Sequence, residues 1–252
     1  MNEARKILES VISDFSPEKF IRFFREKNRN FVARENNYSR YNDSDFKNGS
    51  QIGEIKLQDN DSLLICAFEV QKPLSEKAGK KAQYDKAKAI LKATENQIYC
   101  AGIFIFYDAN DHFRFSLVYP EAIGTRRQWN NFRRFTYFVS KEFTNKTFLK
   151  QIGEKDFHKF DDIKAAFSIT AVTDLFYDEF FKIYGKIVKE TKKLNKIGNE
   201  EEARDFVLLF AIRTIFLGFI QKKKWLGNDE RFIQNFYLEY KEKLFGENKF
   251  YS

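Results

Sequence analysis

Hydrophobic residues recur with two different periods, which predict an α/β region followed by an all-helical one. Short, nearly continuous apolar runs bounded by turn residues predict strands, and helical spacing of apolar residues predicts helices. The predicted strands cover residues 52–57, 63–71, 98–107 and 112–119. The predicted helices of this region cover residues 2–12, a segment opened by Ser16-Pro17, and 75–91. Residues 28–50 are polar and are interpreted as loop or irregular structure.

This order of elements predicts a mixed sheet. Strands 52–57 and 63–71 are separated by a short polar turn and form an antiparallel hairpin. Helix 75–91 lies between two strands, so it is expected to cross over the sheet. The run 98–107 is almost wholly apolar, which is typical of a central strand covered on both faces. The predicted fold class is therefore α/β, a mixed sheet with flanking helices.

After about residue 155 the strand pattern disappears and helical spacing continues alone. Helices are predicted at residues 163–194, 201–225 and 230–244. The chain is accordingly divided into an α/β domain, residues 1–153, and a helical connector domain, residues 154–252. The apolar run Phe206–Ile220 is too short to span a bilayer and contains Arg213, so it is interpreted as a buried helix with no membrane partner.

Composition adds expectations about partners and compartment. The chain has 252 residues and a 43% hydrophobic share, ample for a folded core. It carries 44 Lys and Arg against 36 Asp and Glu, a formal net charge of +8, and a basic balance favours polyanions, with nucleic acid first. Cys66 and Cys100 lie in apolar runs and are interpreted as core thiols. With no secretory signal pattern, this favours a cytoplasmic protein.

The carboxyl end of the second hairpin strand carries the candidate chemistry, a divalent-metal site. Glu69 and Gln71 project from one face because side chains alternate along a strand. The hairpin register is expected to add Glu54 to that face. Two carboxylates and an amide oxygen are ligands that suit Mg²⁺, which lowers the pKa of a bound water and offsets charge on an attacked phosphate. An ordinary surface strand end is the alternative interpretation of these residues.

The expectation for Glu54 depends on the turn. With Asp59 and Asn60 as the two loop residues, Glu54 pairs with Ile65 and joins the metal face. Asp59 is the second candidate for the first acidic ligand. It ranks below Glu54 because the turn is expected to place it away from Glu69. Asp61 ranks third.

Two further segments supply polar and basic residues. Lys81 and Gln83 lie on helix 75–91, where a cation above the metal face would orient a water or stabilise developing charge. A solvated helix face is an equally good interpretation. Residues 124–135 interleave arginines with aromatic and amide side chains, as surfaces that bind phosphates and stack on bases do. The candidate DNA-binding residues are Arg126, Arg127, Arg133, Arg134 and Lys146.

In order and in sequence, these blocks resemble the PD-(D/E)XK nucleases, and more narrowly the N-terminal region of fused restriction endonuclease–methyltransferase proteins. The central match is Glu69-Val70-Gln71 after a hairpin, with Gln71 where the family has a lysine. Further matching blocks are Ile52–Ile55, Lys80–Tyr84, Ala101–Phe104, Phe113–Leu117 and Asn131–Phe138. The helical stretch Ala211–Leu226 resembles the segment that leads into the methyltransferase.

The resemblance implies a restriction-endonuclease-like fold and a Mg²⁺-dependent endonuclease that hydrolyses double-stranded DNA in restriction–modification or phage defence. It implies metal binding by Glu69 with Glu54 or Asp59, supported by Gln71, Lys81 and Gln83. No Asn-Pro-Pro-Tyr motif and no glycine-rich cofactor loop occurs in the chain. A methyltransferase and a target-recognition region are therefore expected downstream in the same protein.

The missing motif lysine leaves alternatives open. Gln71 suffices, or a helix lysine such as Lys81 replaces it, or the domain is a catalytically inactive nuclease-fold module that binds DNA or acts as a scaffold. A third interpretation is a helical interaction protein with an α/β head and no affinity for DNA.

Overall fold

The structure, a computed structural model, describes residues 3–59, 61–123, 126–193 and 199–242. The chain divides into two compact units, an α/β unit of residues 1–174 and a helical unit of residues 175–252. None of the described helices has the length and apolar character needed to cross a membrane.

The α/β unit contains eight strands and five complete α-helices among its described residues. The strands are β1 (Phe31–Asn37), β2 (Phe46–Lys56), β3 (Ser62–Val70), β4 (Ala101–Tyr107), β5 (Phe113–Val118), β6 (Pro120–Ile123), β7 (Arg126–Trp129) and β8 (Thr136–Val139). The helices are α1 (Glu3–Ser13), α2 (Lys19–Lys27), α3 (Lys80–Lys92), α4 (Lys146–Phe148) and α5 (Phe160–Phe167). A π-helical turn, Leu149–Glu154, follows α4 directly.

The sheet is mixed, as the sequence predicts. Six strands lie in the order β1-β2-β3-β4-β5-β8, and β6 pairs with β7 in a separate ribbon. β3 and β4 are parallel, and the other neighbouring pairs of the large sheet are antiparallel. A parallel pair needs a long crossover connection, and α3 provides it. The mixed α/β fold class with flanking helices is therefore confirmed.

The central strands are buried on both faces because their residues are apolar at almost every position. Odd-numbered residues of β3, such as Ile65, contribute to a core with α1, α2 and α5. Even-numbered residues, such as Cys66, contribute to a second core with α3. We call these sides of the sheet the α2 face and the α3 face. On the α2 face, the rings of Phe115 and Phe167 stack with centroids 5.5 Å apart.

The prediction of irregular structure at residues 28–50 is wrong, because β1 and the first part of β2 lie there. β1 is an edge strand, and only its first residue, Phe31, is buried. Its polar residues therefore lack the alternation that reveals a half-buried strand. In β2, register shifts between Lys47 and Ser50 and between Gln51 and Gly53 interrupt the two-residue period in the same way.

The predicted hairpin register is also wrong. Glu54 pairs with Leu64 rather than Ile65, and the last pair of the hairpin is Lys56 with Ser62. The connection is therefore longer than a two-residue turn, and Leu57 within it is buried in the core of the α2 face. A register change of one residue moves a side chain to the other side of a sheet. Glu54 consequently projects to the α3 face.

The helical unit begins within α6 (Ile169–Lys193) and continues with α7 (Glu200–Lys222) and α8 (Phe232–Lys241). Ala203 and Val207 of α7 are buried against α6, where they contact Val188. The prediction that the run 206–220 is a buried helix is wrong for most of its residues. The exposed apolar side chains of this run are Phe206, Leu208, Leu209, Phe210, Ile212, Ile215, Phe216, Leu217 and Phe219.

The boundary between the two units falls later in the chain than the predicted boundary at residue 153. The reason is that α5 belongs to the first core. Ile163, Ala166 and Phe167 of this helix are buried on the α2 face of the sheet. The residues assigned from sequence to the start of the helical domain thus complete the α/β unit.

Gly53 of β2 pairs with Ala33 of β1, and its close approach to this strand gives a test of the observed register. A Cβ at position 53 would lie 2.3 Å from Cε2 of Phe31 and 2.6 Å from the carbonyl oxygen of Val32. Gly53→Ala should therefore lower the free energy of unfolding by about 1–3 kcal/mol, the usual cost of overpacking. The measurement is urea denaturation. Ser50→Ala on the same strand is the control, with an expected change below about 0.5 kcal/mol. A Gly53→Ala variant as stable as the control would contradict this register.

Candidate functional site

Glu69 lies at the carboxyl end of β3, one residue before the strand ends. It projects to the α2 face, between Lys47 of β2 and Tyr107 of β4, which are its cross-strand partners. The amide nitrogen of Asn48 donates a hydrogen bond of 2.5 Å to Glu69 Oε2. Asn48 has a φ of 49° at the first shift in β2, a conformation that asparagine tolerates better than most residues. The irregular strand therefore brings an amide and a lysine to the acidic group.

A second carboxylate, Glu18, belongs to the same neighbourhood. The pKa of Tyr107 is raised to about 12, chiefly by burial and in addition by the charges of Glu69 and Glu18. Both carboxylates are therefore close enough to the Tyr107 hydroxyl to raise its pKa. Glu18 is the N-cap residue of α2, and it accepts a hydrogen bond from the hydroxyl of Ser16. The packing of α2 on the sheet is what brings the start of this helix to the end of β3.

An open cleft of about 530 Å³ adjoins these residues. Glu18 and Asn48 contribute to its wall, and Arg34 and Gln51 line it further along. Polar side chains therefore border a concave surface that begins beside Glu69. We call Glu18, Lys47, Asn48, Glu69 and Tyr107 the Glu69 cluster.

Glu54 lies outside this cluster, which corrects the expectation of a shared face. Its partner Leu64 is five positions from Glu69 along β3, a separation of about 17 Å at the usual strand rise. Glu54 Oε1 accepts from Arg34 Nη2 at 2.9 Å, and Oε2 accepts from the Tyr99 hydroxyl at 2.6 Å. Burial raises the pKa of Glu54, but the hydrogen bonds from Tyr99 and Arg34 lower it by more, so the net shift is downward. Each oxygen of the Glu54 carboxylate therefore already accepts a hydrogen bond within the fold.

The other predicted ligands are not brought to Glu69 either. Asp59 lies in the β2–β3 connection, at the opposite end of β3, where its Oδ2 accepts from the backbone N–H of Phe160. Asp61 precedes β3 at that same end. Gln71 is exposed and follows the last residue of the strand, so strand alternation no longer fixes its direction. The physical reason is common to all three: the hairpin and β3 end at positions other than those predicted.

Lys81 and Gln83 belong to the first turns of α3, which packs on the α3 face. Lys81 is exposed. Gln83 is buried, and its Oε1 has no hydrogen-bond partner among the described residues. Both residues are thus separated from Glu69 by the sheet, so their predicted support of a common site with Glu69 is wrong in geometry.

The predicted DNA-binding residues lie in more than one place. The side chains of Arg126 and Arg127 are outside the described residues. Arg133 and Arg134 are exposed in the loop before β8. Lys146 is exposed at the start of α4, whose Phe148 is buried on the α2 face.

The side chains that could ligate Mg²⁺ limit where the ion could bind in the described part of the chain. Among the described residues, no group of three or more His, Cys, Asp or Glu side chains is arranged to hold a metal. Mg²⁺ is usually bound through one or two carboxylates together with water and substrate phosphates. Glu69 is one such carboxylate and Glu18 lies in its neighbourhood, whereas the predicted set of Glu54, Asp59 and Glu69 is not brought together.

Sequence reasoning missed Glu18, Lys47, Asn48 and Tyr107. Glu18 had a usable signal, since Ser16-Pro17-Glu18 marks the start of a helix, but nothing in the sequence places that helix beside β3. Lys47 and Asn48 fall in the stretch interpreted as loop. Searches of protein-family models, curated proteins and solved structures find nothing that matches this chain.

The hydrogen bonds of Glu54 predict a pH-dependent contribution to stability. Its folded-state pKa lies below the ordinary 4.5, so the stabilisation is present above that pH and is lost as the pH falls through the folded-state value. Glu54→Gln should lower the free energy of unfolding most at neutral pH, and the difference from the unsubstituted chain should shrink below pH 4.5.

Chemical denaturation at a series of pH values measures this difference. Glu35→Gln, at an exposed position of β1, is the matched control, with an expected effect below about 0.5 kcal/mol. A difference for Glu54→Gln that stays constant from neutral pH into acid would contradict the prediction.

Proposed function

We propose that the α/β unit is a magnesium-dependent DNA endonuclease domain of the PD-(D/E)XK type, and that Glu69 is its principal metal-binding carboxylate. The observation that carries the proposal is the Glu69 cluster: an acid, an amide and a lysine converge where β3 ends, and a second acid lies nearby. The order of elements supports it too, because a hairpin, a crossover helix and a parallel strand surround the Glu69-Val70-Gln71 block.

The residues of the Glu69 cluster have different roles in phosphodiester hydrolysis. Glu69 and Glu18 would hold Mg²⁺, and the ion would supply Lewis-acid activation of water and charge neutralisation at the phosphate. Asn48 donates to Glu69 Oε2 and so orients the carboxylate. Lys47, directly across from Glu69, supplies the cation that position 71 lacks, and it stabilises the anionic phosphate during attack.

The wider context of this proposal follows the sequence resemblance. A net charge of +8 suits a double-stranded DNA substrate. We place the domain in a cytoplasmic restriction–modification or phage-defence protein. The methyltransferase and the target-recognition region would belong to other parts of the same protein.

Glu69→Gln should lower Mg²⁺-dependent cleavage of plasmid DNA by about a hundredfold or more, because loss of a metal ligand removes several kcal/mol of charge stabilisation. Glu54→Gln is the matched control, an acid of the same hairpin that projects to the other face, and it should retain cleavage. Calorimetric titration with Mn²⁺ gives a second readout, in which binding is lost in Glu69→Gln alone. Equal activity of the two variants, or loss in Glu54→Gln only, would overturn the assignment.

A second candidate function is a catalytically inactive nuclease-fold module that binds DNA or acts as a scaffold. One observation favours it: Gln71, at the position of the motif lysine, is exposed beyond the end of β3. Salt-sensitive DNA binding without metal-dependent cleavage by the unsubstituted chain would select this function over the endonuclease.

Both candidates predict that the exposed arginines bind phosphates. Replacing Arg133 and Arg134 together by Gln should weaken duplex binding and reduce the slope of log K against log salt by about one for each phosphate that is no longer neutralised. The control replaces Lys6 and Arg25, exposed on α1 and α2, by Gln, and removes the same total charge. Fluorescence anisotropy at several salt concentrations measures both. A slope that changes equally in the two double variants would argue against a specific role of these arginines.

A further inference from the structure

Arg114 is a buried charged residue that does not belong to the Glu69 cluster. It lies in the middle of β5 and is 1% exposed, on the α3 face, between its partners Phe106 and Phe138. Its Nη2 donates to the carbonyl oxygens of Ser75 at 2.6 Å and Ala78 at 3.1 Å. Its Nε and Nη1 have no hydrogen-bond partner among the described residues. Burial lowers the pKa of Arg114 to about 10.

A buried guanidinium with unpaired donors is unfavourable, and the ring of Phe138, whose centre lies 5.8 Å from the guanidinium carbon, offsets only part of that cost. Hydrogen bonds to charged groups are worth about 1.5–3 kcal/mol each, and a buried donor left unpaired costs a comparable amount. Because Nε and Nη1 are themselves buried, Arg114 acts on an anion outside the Ser75–Ala78 segment through its charge rather than through a direct hydrogen bond.

The start of α3 lies next to this side chain. The carbonyl groups that accept from Arg114 belong to the segment immediately before the helix, and Gly79 is its N-cap residue. Gly79 has a φ of 79° and offers no side chain, and no side-chain cap bond is made there. The first N–H groups of a helix have no partner within the helix and carry partial positive charge. The end of this 13-residue helix has no side-chain cap, and its first backbone N–H groups are therefore suited to binding an anion.

Two more cations belong to the same neighbourhood. Burial lowers the pKa of Lys80, and the nearby charges of Arg114 and Arg133 lower it further, while Glu76 opposes them. Lys80 therefore lies within range of two other cations, and Glu76 offsets part of their repulsion. Such a concentration of positive charge is relieved when a polyvalent anion binds between them.

Packing of the loop before β8 fixes Arg133 beside the helix. The hydroxyl of Tyr84 on α3 donates to the carbonyl oxygen of Asn130 at 2.9 Å. The rings of Tyr84 and Phe132 have centroids 5.8 Å apart, and the guanidinium of Arg133 lies 5.4 Å from the centre of the Phe132 ring. Two segments distant in sequence are thus held together at the start of α3.

We propose that the N-terminal turn of α3, together with Lys80, Arg114 and Arg133, forms a phosphate-binding site on the α3 face. Lys80 and Arg133 are its outer cations, the helix amides bind oxygen atoms, and Arg114 supplies the fixed charge behind the Ser75–Ala78 segment. This site and Glu69 are on different faces of the sheet, and phosphate binding here requires no metal. The phosphate belongs either to a nucleic-acid backbone or to a free nucleotide, since both present the same group.

The test is calorimetric titration of the full chain, in EDTA and at constant ionic strength, with inorganic phosphate, with ADP and with a DNA duplex. Lys80→Gln and Arg133→Gln should each weaken phosphate binding about tenfold, the equivalent of one charge-assisted hydrogen bond. Lys92→Gln removes the same charge from the other end of α3 and is the matched control, with affinity retained. Arg114→Met should weaken binding as well, and circular dichroism checks that it is folded.

The outcomes separate the two sources of phosphate. A backbone site loses duplex affinity in Lys80→Gln and Arg133→Gln, with phosphate as a competitor, whereas a nucleotide site loses ADP affinity and keeps duplex affinity. Either result supports the proposal. Equal phosphate affinity in Lys80→Gln, Arg133→Gln and the Lys92→Gln control would overturn it, as would no binding of phosphate above chloride. Because no metal is present, failure here is distinct from failure of the proposed nuclease.

Discussion

Parallel pairing of β3 with β4 is the constraint on which the α/β unit depends. Two parallel strands cannot be joined by a tight turn, so the chain must cross the sheet between them, and α3 is the element that does so. The pairing sets Glu69 beside Tyr107. It also brings the start of α3 onto the same face as Arg114 of β5. The two candidate sites are therefore consequences of one topological choice, although they lie on different faces of the sheet.

The parts of this fold that could be predicted from sequence are those whose burial is simple. β3 and β4 are apolar at almost every position, and α3 repeats its small and apolar residues with helical spacing, so their types are evident. β1 could not be recognised because six of its seven residues are not buried. The register of β2 could not be derived because two irregularities and the length of the connection after Lys56 are tertiary features. The turn sequence alone does not specify them.

The candidate site was predictable to the same degree. Glu69 could be found because it closes an apolar strand. Its neighbours could not, since Lys47 and Asn48 occupy an irregular part of β2, and Glu18 reaches the strand end only through the packing of α2. Glu54 shows the converse case. Its residue type and spacing suit a metal ligand, but a one-residue difference in pairing gives it Arg34 and Tyr99 as partners instead. The sequence thus identifies candidate functional residues more readily than it shows which of them lie together in the fold.

The polar character of β1 has a consequence for the behaviour of the protein in solution. An edge strand presents unpaired N–H and C=O groups that can recruit a strand from another molecule, and long, regular, apolar edges invite such pairing. Residues Arg34–Asn37 of β1 are charged or amide-bearing, and a register irregularity follows Ala33. These features make the edge a poor template for added strands. The polar residues that hide the strand pattern of β1 in the sequence are therefore the ones that protect the sheet against aggregation.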